Sequence, residues 1–259
     1  MKKLSVRVLI LLLSFFYTFA EADEWRIAKS THFIVYYKEA KDSFINRAIE
    51  TAEQYYDKIA DDLGFRRYDF WLWDKRAKIY IYNDLKDYQT ATGQPGWSSG
   101  IALPKDKIIQ TFPDAQGFFD RVLPHEMGHI IFREFVGFDN HAIPVWLDEG
   151  VASSRECQRY AASSMLVKQA IKNGKFIEME ELAKFNPLGI KDDAAVSLFY
   201  AESISVVDYL LKEFGRDRFV LFCQTLRDKQ DLERAVSYAY SFSDIADLGR
   251  SWRKYLNNG

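Results

Sequence analysis

Residues 124–132 read PHEMGHIIF, two histidines four positions apart with a glutamate beside the first. On a helix, positions i and i+4 share a face with Cβ atoms roughly 5–6 Å apart, so His125 and His129 can aim their imidazoles at one point. That spacing suits a single zinc ion, whose bonds to nitrogen are about 2.0–2.1 Å long. Glu126 is turned about 100° from His125 around the same helix, where it can face a metal-bound water without being a ligand. Zinc lowers the pKa of such a water toward about 7, and a carboxylate can take its proton as the water attacks a carbonyl. The HExxH pattern therefore carries a mechanism, that of a general base beside a Lewis acid. The chain has four histidines in all, so the grouping is not a by-product of composition. The plainer alternative is an apolar helix with two hydrogen-bonded histidines.

A catalytic zinc usually has three protein ligands and one open position. The metzincin pattern would need glycine at 132 and histidine at 135, where this chain has Phe132 and Phe135. His141 is near in sequence but sits in GFDNHAIP (137–144), which reads as a loop; substrate contact or solvent exposure suits it better than ligation. Glu149, in PVWLDEGVAS (144–153), is the stronger candidate. Pro144 suits a helix start, and Trp146, Leu147 and Val151 could face a core. A glutamate there would complete a His2Glu site holding one Zn2+ per chain.

These residues need a scaffold. THFIVYYK (31–38), AKIYIY (77–82) and KIIQTF (107–112) are rich in β-branched and aromatic residues and read as strands. Between Asp42 and Gly64 the apolar positions Phe44, Ala48, Ala52, Tyr55, Ile59 and Leu63 step by three and four, a helix that Gly64 can end. TGQPGWSSG (92–100) is a Gly/Pro/Ser loop. Helical patterns dominate after about residue 117: Phe118–Phe135 around the histidines, Ser197–Phe214 closed by Gly215, Asp217–Arg227 and Asp244–Leu256. The order predicts an α+β fold, a small mixed β-sheet packed on the HExxH helix and followed by a mainly helical part. FWLW (70–73) reads as core or a loop plug, with a membrane contact or substrate lip as the alternative.

HEMGH followed after 19 residues by Glu149 in WLDEG resembles the gluzincin metallopeptidases, whose second ligand helix carries W-L-x-E-G. Within them the chain most resembles the small peptidase-MA-like family of exported bacterial proteins. FIVYY, SSGIALPKDKII (98–109) and LFYAESISVVDYLLKEFG (198–215) look like that family's softer landmarks, so the likeness spans nearly the whole mature chain. The resemblance implies a thermolysin-like catalytic core with His125, His129 and Glu149 as zinc ligands and Glu126 as general base, acting on a peptide or protein substrate. It also implies that the strand through Ile108 borders the cleft and can pair with an extended peptide. Tyr200 sits where related enzymes often have a tyrosine that stabilises the oxyanion; a core aromatic is the equal alternative. Two departures stand out. Ser153 occupies the place of an aspartate that in thermolysin-like enzymes orients a ligand histidine, so that support must come from elsewhere, Asp148 or a backbone carbonyl. GIALP (100–104) lacks the acid with which gluzincin aminopeptidases hold a free amine, which favours an endopeptidase. A zinc-binding envelope protein that acts by interaction is the main rival, and intact Glu126 argues against it; hydrolysis of a non-protein amide is the other.

Lys2, Lys3 and Arg7 precede an uncharged run, Val8–Ala20, that ends in Ala-Glu-Ala. This reads as a secretory leader over 1–22, ahead of one peptidase domain over 23–259, with a β/α part to 140 and a helical part from 141. About 13 apolar residues fall short of the roughly 20 needed to span a bilayer, so no stable membrane insertion follows removal of the leader. Export to the periplasm or the exterior is expected. Losing the leader removes three positive charges and Glu21, leaving 32 basic against 36 acidic residues, with no basic excess for nucleic acid. In an oxidising compartment Cys157 and Cys223 could pair or stay as buried thiols.

Overall fold

The computed structural model describes residues 25–65, 71–154 and 159–258. The expected leader, Phe70 and Cys157 lie outside them; Cys223 is buried. The fold is α+β, as expected: a five-stranded mixed sheet followed by a mainly helical half. The strands are β1 (Arg26–Lys29), β2 (Phe33–Tyr37), β3 (Ala77–Ile81), β4 (Gly100–Leu103) and β5 (Ile108–Thr111), in the order β1-β2-β3-β5-β4. The three central strands run parallel, while β1 and β4 close the two edges antiparallel. In β2 and β3 every second residue is buried, so Phe33, Val35, Ile79 and Ile81 line one face of the sheet.

That face is covered by α1 (Asp42–Leu63), which ends at Gly64 in the left-handed conformation, φ 73°. Its core stripe is Ile45, Ala48, Ala52, Tyr56, Ile59 and Leu63; the expected Phe44 and Tyr55 lie half-buried on its flank. A short helix, α2 (Leu85–Thr92), capped by the Asp84 side chain, fills the segment ahead of the glycine-rich loop. Trp71 is fully buried against Phe33 and Tyr56, whereas Trp73 is exposed, so the aromatic stretch is core only in part.

One expectation is corrected. The strand through Ile108, β5, is hydrogen-bonded on both sides, by β3 and by β4, and has no free edge for a peptide. The edge belongs to β4, a four-residue strand that the sequence reading does not identify and whose first residue, Gly100, closes the expected loop.

The HExxH segment follows a turn of π-helix, Phe118–Val122, that runs directly into α3 (Leu123–Val136). Then come α4 (Val145–Ser153), started by Pro144, α5 (Arg159–Lys172), α6 (Met179–Leu182), α7 (Asp193–Lys229), α8 (Leu232–Tyr240) and α9 (Ile245–Asn258). Gly215, at φ 80° and ψ 167°, breaks α7 where the sequence predicts a helix end. By length and hydropathy α7 could cross a bilayer, but 61% of its most apolar window is buried in the protein, which marks a core helix. It packs on α4, and α4 packs on α3.

Candidate metal centre

The site is built where α3 and α4 cross. Gly128 makes the crossing close: a Cβ there would lie 2.8 Å from the Ala152 Cα. Gly150, on the opposite side of α4, faces α7, and a Cβ there would press into the Ser203 carbonyl oxygen. Two glycines thus let three helices stack at backbone contact. Trp146, Leu147 and Val151 are fully buried, as their spacing predicts, and so fix how α4 is rotated.

With α4 so placed, Glu149 meets the histidine pair. His125 Nε2 and His129 Nε2 are 3.2 Å apart, and Glu149 Oε2 lies 3.7 and 3.8 Å from them. These three atoms form a triangle whose centre is about 2.1 Å from each corner, the reach of a zinc–imidazole bond of about 2.0–2.1 Å. The other ring nitrogens are turned away. His129 Nδ1 is 3.0 Å from Asp148 Oδ1, and His125 Nδ1 is 3.4 Å from Ser153 Oγ. Each Nδ1 is thereby occupied and each Nε2 points into the shared space, so the donor set fits one zinc ion. Ser153, where an aspartate is usual, still adjoins a ligand-type histidine, and Asp148 supports the other. Arg133, one turn after His129 on α3, anchors Asp148 with two nitrogens 2.8 and 2.7 Å from Oδ2. The i, i+4 relation of His129 and Arg133 is the signal by which sequence reasoning could have found it.

The charges of this buried group would favour a cation among them. Burial alone would push His129 down, yet Asp148, with Glu149 and Glu126 nearby, raises it to about 10. Burial would likewise raise Asp148, but His129 and Arg133 hold its carboxyl below the usual range. Burial pushes Glu126 up, and His125, His129 and the Ala102 N–H, which hydrogen-bonds to it, offset only part of the effect. Without metal the carboxylates retain a proton on His129; a divalent cation at the centre of the triangle would displace it.

Glu126 is buried but opens on a cleft of about 930 Å³ that His125 also lines. Its Ala102 contact ties it to edge strand β4, and Gly100 is needed there because a Cβ would meet Val122 at 2.7 Å and Glu126 at 3.3 Å. Tyr200, on α7, lines the same cleft, half-buried and edge-on to Phe199 with ring centres 5.5 Å apart. His141 is exposed in the turn before α4 and is not among the converging groups.

Residues 51–258 match the family model of the Peptidase MA superfamily. No curated protein matches the chain.

Proposed function

Because the chain belongs to the Peptidase MA superfamily, a family of peptidase-type hydrolases, we propose that it is an exported, zinc-dependent endopeptidase. The observation that carries this reading is the convergence of His125, His129 and Glu149 on one point, with His125 and the buried Glu126 both lining a cleft that reaches Gly100 of β4. Zinc at that point would polarise the scissile carbonyl and acidify a water. Glu126 takes the water's proton as its oxygen bonds to the carbonyl carbon, and delivers it to the amide nitrogen as the C–N bond breaks. Its raised pKa suits both halves of that exchange. Tyr200, on the cleft wall, supplies a hydroxyl to the developing oxyanion. The β4 edge, anchored to Glu126 through Ala102, offers backbone groups to an extended substrate strand. No acid in Gly100–Leu103 would hold a free amino terminus, which supports internal cleavage. Export rests on the leader pattern of residues 1–22.

Glu126→Gln tests the reading, since it removes the proton acceptor and leaves the three ligands. Zinc should stay near one per chain while hydrolysis falls by about 100-fold or more. In cells, new amino termini among envelope proteins should appear with the unaltered chain and not with the variant. Equal turnover by both would sink the role of Glu126, and the absence of any cleavage product would favour a zinc-binding interaction protein.

A further inference from the structure

The cleft leaves large apolar side chains in water on two of its walls. Trp97, in the loop between α2 and β4, is 78% exposed; Leu188 and Ile190, in the loop between α6 and α7, are 75% and 43% exposed. All three line the cleft that holds His125 and Glu126. Scattered exposed apolar residues are ordinary, but several gathered on one concave surface mark a place where apolar matter binds.

Both lips are built. Beside Trp97, the Ser98 N–H donates to the Pro95 carbonyl at 2.9 Å, and the Ser98 hydroxyl lies 2.8 Å from the buried Tyr88 hydroxyl and 3.0 Å from the Gly100 carbonyl. In the α6–α7 loop, the Leu188 N–H donates to Asn186 Oδ1 at 3.0 Å and the Ile190 N–H to the Pro187 carbonyl at 3.3 Å. The turns thus hold their apolar side chains at the cleft by specific hydrogen bonds, while the side chains lack neighbours that would bury them.

We infer that this cleft selects extended peptide segments carrying a bulky apolar residue, such as leucine or phenylalanine, next to the bond over Glu126, with that side chain covered between Trp97 and the Leu188–Ile190 turn. The occupant is a peptide because both lips line the cleft that also holds His125 and Glu126, and the Trp97 lip runs into edge strand β4, whose backbone suits an extended chain. The inference rests on the hydrolytic reading for the position of the bond, though the binding preference can be measured without turnover.

The probe is a set of fluorescein-labelled ten-residue peptides identical except for a central Leu-Phe, Ala-Ala or Lys-Glu pair. Binding to the zinc-loaded Glu126→Gln protein is read by fluorescence anisotropy. The Leu-Phe peptide should bind at least about 10-fold more tightly than Ala-Ala, and adding Trp97→Ala or Leu188→Ser should shrink that ratio below about threefold. Both substitutions are at exposed positions, and unchanged circular dichroism and zinc content would confirm intact folding. Equal affinities, no measurable binding, or a preference that survives both substitutions would overturn the inference. Digestion of the same peptides by the unaltered protein tests hydrolysis separately: selective binding without cleavage defeats the peptidase reading alone, and cleavage without selectivity defeats the apolar preference alone.

Discussion

His129 has one nitrogen in the metal triangle and the other on Asp148, which Arg133 holds in turn. That chain sets the imidazole's tautomer and angle. Asp148→Asn keeps its shape and removes the charge, so zinc affinity should fall by about 10–100-fold, measured by competition with a chromophoric chelator. Unchanged affinity would show that His129 needs no such support. Tyr200→Phe separates chemistry from packing, because it deletes only the hydroxyl. If that hydroxyl meets charge as it develops, kcat should drop by about 100-fold with KM and zinc content little changed. A loss below about threefold would leave Tyr200 as a wall of the cleft. At this scale the sequence is most readable, since HExxH and WLDEG are fixed by residue type and short helical spacing. Asp148 could be named only as one option, because which carboxylate reaches His129 depends on how α4 is rotated, and Trp146, Leu147 and Val151 decide that by burying themselves.

The distance between α3, α4 and α7 is set by residues without side chains. Gly150→Ala places a methyl against a backbone oxygen of α7, which cannot rotate aside, so stability should fall by about 1–3 kcal/mol and zinc should bind more weakly as α4 shifts. Urea denaturation of the metal-free variant checks the first, and an unaltered midpoint would mean that the helices part freely. The long elements were legible: α1 from its apolar stepping and Gly64, the break at Gly215 from the glycine that ends an apolar helix. β1, β4 and α2 were not. Four residues hold too few alternations for a strand to declare itself, and Gly100 reads as loop although its role is to let β4 lie against Glu126. The signals of α2 were present, Asp84 as cap and Gly93 as stop, but eight residues between strands offer a weak periodicity. The π-turn before α3 left no mark, because its extra residue per turn is imposed by packing.

Across the whole molecule, Glu202 links pH to stability. It is fully buried on α7; one carboxyl oxygen accepts the Ile177 N–H, and the other has no hydrogen-bond partner among the described residues. Burial raises its pKa from 4.5 to about 8, with Glu178 adding to the shift. The folded protein therefore keeps a proton that the unfolded chain releases above pH 4.5. The associated stability is complete below that pH and is lost, at up to about 1.4 kcal/mol per pH unit, as pH rises toward 8. Glu202→Gln mimics the protonated acid, so its melting temperature should gain on the parent's between pH 5 and 8; parallel curves would place the proton elsewhere. The two sheet edges face a different hazard, pairing with neighbouring molecules. Arg26 and Lys29 give β1 a charged border, the usual guard against strands pairing edge to edge into aggregates. Gly-Ile-Ala-Leu of β4 carries none. If β4 receives a visiting strand, that edge cannot also be armoured against its own kind, and self-association at high concentration is the cost the proposed function would carry.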